Sequence, residues 1–297
     1  DQAYQGDYQG LFNYTACFRY DIMYKHVEKD EAKQREKWKR VPRFNVLLPL
    51  LSLLPKGKLL DIGCSTGNFL LIAKSFGFEV YGTEASKEAC KIGTSRYGLK
   101  IANVLTLKEL PADFKGPYKV ITAFEVIEHV EEPLKFLREI YEHLEEGGFA
   151  ILSCPPYFKF ENLALGYRKY KWWYNDYPPH HLNRFKPWTL YYALKHASFE
   201  EVVVFTEPLL TGTVLDGVTP QDAIIPLQNN QQLTLPKAIV ASIILESLKP
   251  LYVNARYLGN FQFAIGVKGK SGLNWEKVLR RAIGISAVDL LWSDHRR

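Results

Sequence analysis

A chain of 297 residues with 47% apolar and 14% aromatic side chains has enough hydrophobic surface to fold around a core, which excludes a disordered or low-complexity polymer. Its net charge of +6, from 38 basic and 32 acidic residues, is mild, and no nucleic-acid docking motif accompanies it, so a nucleic-acid partner is not expected. The cysteines Cys17, Cys64, Cys90 and Cys154 show neither a CxxC pair nor metal-finger spacing and read as free thiols in a reducing cytoplasm.

Residues 1–55 read as a helical N-terminal cap. A start bearing Tyr4, Tyr8, Tyr14, Tyr20 and Tyr24, which could roof a site, leads into the charged run Glu28–Arg40, most simply a solvated helix face. The apolar stretch "FNVLLPLLSLLP" (Phe44–Pro55) follows. Like "AIVASIIL" (Ala238–Leu245), it is shorter than the roughly 20 residues that span a bilayer. The expectation is a cytoplasmic protein with at most peripheral membrane contact.

From Lys58, short apolar runs alternate with amphipathic stretches. "KLLDIGC", "EVYGTEA", "YKVITAF" (Tyr118–Phe124) and "GFAILSC" (Gly148–Cys154) read as buried strands. Between the last two, "EPLKFLREIYEHLEEGG" predicts a helix. Pro133 suits its first turn, Leu134, Leu137, Tyr141 and Leu144 share a stripe, and Gly147–Gly148 end it. This alternation predicts βαβ units in an α/β fold: a doubly wound, mostly parallel, Rossmann-like sheet of seven strands whose ligand sits at the carboxyl ends.

The core is expected over 56–207, with a lid insertion at 156–186 that carries the aromatic stretch "YRKYKWWYNDYPPHHLNRF" (Tyr167–Phe185). There Trp172, Trp173, Tyr174 and Tyr177 read either as a stacking platform or as an apolar hinge. A helix opened by Pro187 and the strand "EEVVVFTE" complete that unit. Residues 208–258 form a second insertion with a helix near 237–248. Residues 259–297 bring a last strand in "NFQFAIGVKGK" and a terminal amphipathic helix, "NWEKVLRRAIGISAVDLLW".

The turn "DIGCSTG" joins the first strand to the first helix of the core, where glycines allow close approach and helix-start N–H groups favour an anion. A P-loop needs Gly-Lys-Ser/Thr, but Gly67 is followed by Asn68 and Phe69. A dinucleotide fingerprint needs a middle glycine where Ser65 stands. What remains is a ligand with a carboxylate and an ammonium, S-adenosylmethionine. Asp61 is placed for the ammonium, and Glu84, at the end of the second strand, for the ribose diol.

The sequence resembles the class I S-adenosylmethionine-dependent methyltransferases, in the branch of ubiquinone-pathway and polysaccharide-cluster enzymes. The resemblance rests on "LLDIGCSTGNFL", "VYGTEAS", "ITAFEVIEHVEEPLKFLREIYEHLEEGGFAILSCPP" and "PPHHLNRFKPWTLYYALKHASFEEV", roughly Lys58 to Phe205, and "EVIEHVEEP" is its most specific part. It implies that Asp61, Gly63, Cys64, Ser65 and Gly67 surround the methionine part of the cofactor. It places Glu84 on the ribose, Ala85 and Ser86 beside the adenine, Asn103, Val104 and Leu105 at the adenine's far edge, and Phe124 and Glu125 near the donor. The pattern is broken in three places. "IANVLTL" lacks the acid often found after the third strand, "HASF" lacks a glycine before Phe199, and no cysteine-rich N-terminal ribbon is present.

Methyl transfer to a hydroxyl needs alignment and a proton acceptor, and histidine titrates near neutrality. His181, with His180 as a less certain addition, is the candidate base or substrate ligand in "YPPHHLNRF"; alternatively one packs while the other holds the lid by backbone bonds. Glu125, Glu128 and His129 could bind a divalent cation, although no metal is assigned; Glu128 and His129 could instead cap the next helix. The expected acceptor is a small molecule, glycan or lipid-linked precursor, with a sugar hydroxyl first and a quinone or phenol second. A scaffold without catalysis and an NAD(P)-dependent reductase are the competing readings.

Overall fold

The structure, a computed structural model, describes residues 42–157, 181–206, 261–275, 277–279 and 292–293. The N-terminal tyrosines, the run Glu28–Arg40, Trp172 to Tyr177, His180, the insertion 208–258 and most of the expected terminal helix lie outside the described residues.

Apolar runs with no polar alternation are what a strand buried on both faces requires. Five of them, β1 (Lys58–Ile62), β2 (Glu79–Thr83), β3 (Ile101–Ala102), β4 (Tyr118–Phe124) and β5 (Leu144–Cys154), pair in parallel in the order β3-β2-β1-β4-β5. β6 (Glu201–Thr206) and β7 (Gln262–Val267) continue the sheet as β5-β7-β6, with β7 antiparallel to both neighbours. This is the expected seven-stranded, mostly parallel sheet. A two-residue edge strand, β8 (Trp292–Ser293), adds to it beyond β6.

Helices cover the two faces. Against one lie α1 (Pro42–Leu53), α2 (Asn68–Ser75) and α3 (Lys87–Tyr97), where Leu50, Leu70 and Cys90 join Val120, Ile151 and Ile265. Against the other lie α4 (Pro133–His143) and α5 (Pro187–His196), where Leu137, Ile140, Leu190 and Leu194 meet Ile121, Leu152 and Val204. Adjacent strand residues such as Val120 and Ile121 thus enter opposite cores. Cys64, Cys90 and Cys154 are free and buried.

Three expectations are corrected. α4 stops at His143, before Gly147–Gly148, because Leu144–Gly148 is drawn into β5. Gly147 N–H donates to the Lys268 carbonyl at 2.8 Å, and Lys268 N–H donates to the Gly148 carbonyl at 3.0 Å. The stripe on α4 is shifted: Leu137 and Ile140 are buried, whereas Leu134 is 42% exposed, since the helix turns that position past the sheet. Finally, the chain is helical at 275 and 277–279, but Trp292–Ser293 is extended, held by antiparallel pairing to Val203 and Val204.

Candidate active site

The donor side of the site is built by the β1–α2 turn. Gly63, Ser65 and Gly67 take positive φ values of 68°, 53° and 84°, and these left-handed residues reverse the chain within a few positions. A Cβ on Gly63 would lie 2.7 Å from Val126 Cγ2, so the turn is also closely packed. Ser65 N–H donates to Glu84 Oε2 at 2.9 Å and Ser86 N–H to Glu84 Oε1 at 2.8 Å. One carboxylate therefore fastens the turn after β1 to the turn after β2. Burial pushes the Glu84 pKa above the usual carboxylate range, against the lowering effect of the N–H groups it accepts.

Gly67 is the N-cap of α2 and no side chain caps it, which leaves the first-turn N–H groups and the positive end of the helix dipole toward the crevice. Asp61 is buried at the end of β1, where it accepts a hydrogen bond from Thr122 Oγ1 at 2.6 Å. A buried acid for an ammonium, helix-start N–H groups for a carboxylate and a second acid for a ribose diol fit S-adenosylmethionine.

Several sequence-predicted cofactor residues prove to brace this crevice. Cys64 turns its thiol toward β2, where a Cβ on Gly82 would come within 2.5 Å of Sγ. Burial, followed by the nearby Asp61 and Glu84 charges, raises this thiol well above its ordinary pKa and leaves it unreactive. Ser86 is the N-cap of α3 and accepts from Ala89 N–H. Asn103 Nδ2 donates to the carbonyls of Glu84 and Ala85 at 2.9 and 2.8 Å, fixing the turn that carries Glu84. Val104 N–H bonds to the Ala102 carbonyl; the exposed Leu105 donates its N–H to Glu109 Oε2. Phe124 packs edge-on to Phe69, ring centroids 4.9 Å apart.

A second group of candidate side chains lies at and just after the ends of β4 and β5. Glu125 adopts φ +57°, donates its N–H to the Ser153 carbonyl at 2.9 Å and accepts from Ser153 Oγ at 3.0 Å. The segment carrying His181 is laid over the following turn: Leu182 and Asn183 N–H groups donate to the Glu128 carbonyl at 2.8 and 3.0 Å, and Asn183 Nδ2 to the Val130 carbonyl at 2.6 Å. The His181 and His129 rings meet edge-on, centroids 4.9 Å apart.

Glu128, His129 and His181 each bring one ligating atom within 4.8 Å of the others, a donor set that could hold a divalent cation. The cation-capable set is thus different from the expected one: His181 joins Glu128 and His129, while Glu125 bonds to Ser153. Nor do Glu128 and His129 cap α4, whose N-cap is Glu132. Sequence reading missed Ser153, Asn183 and Gln262; Gln262 Nε2 donates to the Phe185 carbonyl at 2.9 Å and so supports the His181 segment from β7. No local motif marks these three, because each acts on a partner distant in sequence.

Residues 31–204, more than half of the chain, match the family model described as a methyltransferase domain. The ubiquinone biosynthesis O-methyltransferase of Caulobacter sp. (strain K31) is 35% identical over 100 residues, 32% of this chain and 40% of the relative. That of Rickettsia typhi (strain ATCC VR-144 / Wilmington) is 36% identical over 105 residues, 34% of this chain and 42% of the relative. The chain thus spans well under two thirds of the length of the relatives it matches. A solved SAM-dependent methyltransferase from Archaeoglobus fulgidus overlaps 83% of this chain and 97% of its own length, at 19% identity and a TM-score of 0.47. With the sheet order, the glycine turn and the Glu84 clamp in place, the chain belongs to the class I S-adenosylmethionine-dependent methyltransferases.

Proposed function

We propose that the protein methylates a hydroxyl oxygen of a small-molecule acceptor, with His181 as the proton acceptor, and that this hydroxyl is phenolic or belongs to a quinone precursor. The observation that carries the reading is the meeting of His181 with Glu128 and His129 in the turn that follows β4. S-adenosylmethionine supplies a methyl group on a cationic sulfur. The His181 imidazole would take up the proton that the acceptor hydroxyl gives up on methylation. Glu84 holds the ribose hydroxyls, Asp61 the ammonium, and Glu125 lines the path between donor and acceptor.

The ubiquinone biosynthesis relatives favour the phenolic class. A sugar hydroxyl is the second reading, supported by the aromatic insertion in the sequence and by Tyr157, exposed at its root. None of the described helices is long and apolar enough to cross a membrane.

The test is incubation of the protein with methyl-labelled donor and, separately, catechol and methyl glucoside, with product structures read by mass spectrometry. Label in a catechol methyl ether is the expected result, and label on the glucoside alone moves the assignment to sugars. Label on neither, with donor binding intact, contradicts both. A divalent cation on Glu128, His129 and His181 is a further arrangement the geometry allows. If His181 acts as a base without one, turnover after EDTA treatment stays within about twofold; a larger loss restored by added Mg²⁺ or Zn²⁺ assigns the three side chains to the ion.

A further inference from the structure

The donor has three parts in a row, and the sheet offers three neighbouring strand ends. β1, β2 and β3 lie side by side and parallel, so Asp61, Glu84 and Asn103 stand on or just beyond successive strands. The pairing of Thr83 with Ala102 sets Glu84 and Asn103 level, each one residue past its strand. With the ammonium at Asp61 and the ribose at Glu84, the base on the other side of the ribose falls to the turn after β3.

The neighbouring side-chain acceptors are already engaged. Glu109, the first acid after β3, turns Oε2 back to the N–H groups of Leu105 and Thr106, at 3.1 and 3.3 Å. The Thr106 side chain accepts from the Glu109 N–H in return. Ser86 Oγ accepts from the Ala89 N–H and donates to Glu88 Oε2 at 3.2 Å. Asn103 is held differently, since its Nδ2 donates to the carbonyls of Glu84 and Ala85 at 2.9 and 2.8 Å. A carbonyl can only accept, so the amide cannot be turned round. Those two bonds use both Nδ2 hydrogens and leave Oδ1 as the acceptor of a side chain that is exposed yet fixed in orientation.

Such an oxygen distinguishes purines by what stands at C6. Adenine carries an amino group there, which donates, whereas hypoxanthine carries a carbonyl, which would set oxygen against oxygen. We propose that Asn103 Oδ1 accepts a hydrogen bond from the 6-amino group of the donor's adenine and so selects the adenine nucleoside, in place of the acid that the sequence lacks after β3. The amide does this without a charge, and the assignment holds whichever acceptor atom is methylated.

Calorimetric titration with S-adenosylhomocysteine and with S-inosylhomocysteine, its hypoxanthine counterpart, reads the contact without turnover. Wild type should bind the adenine compound about tenfold more tightly than the hypoxanthine one. Asn103→Ala removes Oδ1 and also the brace on the Glu84 turn, so both compounds should bind more weakly while the preference shrinks to within about twofold. Weaker binding of both with the preference intact would make Asn103 a brace alone and overturn the proposal. A wild type that does not discriminate overturns it too. A crystal of wild type with S-adenosylhomocysteine gives a check that needs no variant. The adenine amino nitrogen within hydrogen-bond distance of Asn103 Oδ1 supports the assignment, and an amino group bonded only to backbone or water overturns it. Failure of the donor reading itself is recognised separately, as binding of neither compound.

Discussion

Gly63 and Glu84 show how single residues set the donor crevice. Gly63 is left-handed at φ +68° and has Val126 against it. Gly63→Ala is therefore expected to lower stability by about 1–2 kcal/mol or more and to weaken donor binding; urea unfolding beside calorimetry checks it, and wild-type values for both would contradict the packing described. Glu84→Ala should weaken S-adenosylmethionine binding by roughly 1–3 kcal/mol, because ribose hydroxyls lose their acceptor and the Ser65 and Ser86 N–H groups lose theirs. Since burial raises the Glu84 pKa, its carboxylate takes up a proton at higher pH than a free side chain does. Donor affinity should accordingly fall as the pH drops through that raised value, and Glu84→Gln should flatten that part of the profile; an unchanged slope would remove Glu84 from the ribose site.

The places of Asp61 in β1 and of Glu84 just after β2 were legible in the sequence because each lies at the end of a short apolar run. Ser153, which holds Glu125, and Gln262, which holds Phe185, were not, since their partners are 28 and 77 positions away.

At the scale of elements, strands were easier to read than their boundaries. The doubly buried runs of β1 and β4 have no competing pattern, whereas "HLEEGG" suits a helix end as well as a strand start. Pairing with the chain after β7 decides for the strand, and that contact joins residues more than a hundred positions apart. The His181 segment depends in the same way on an element contact, the Asn183 anchor to the Glu128 and Val130 carbonyls. Asn183→Ala removes the side-chain half of it. The expected loss is about 1 kcal/mol of stability, with turnover reduced while donor affinity is kept, since the crevice at Glu84 is built by other elements. Calorimetry and steady-state kinetics on the same variant check this, and a parallel loss of donor affinity would contradict it.

For the whole molecule, alternation of strand and helix is sufficient to specify the parallel half of the sheet, because each crossover places consecutive strands by the right-handed rule. It does not specify β7 between β5 and β6, for the run from 207 to 261 separates those strands in sequence. The placing of β7 between them brings Gln262 beside Cys154 and Thr206.

The most direct measurement of the central claim compares wild type and His181→Ala with methyl-labelled donor and a phenolic acceptor, locating the label in the product and titrating donor affinity in parallel. The account requires a methyl ether on a hydroxyl oxygen, formed on the order of 10²-fold more slowly by His181→Ala at unchanged donor affinity. Label on nitrogen or carbon, or an unimpaired His181→Ala, would contradict it.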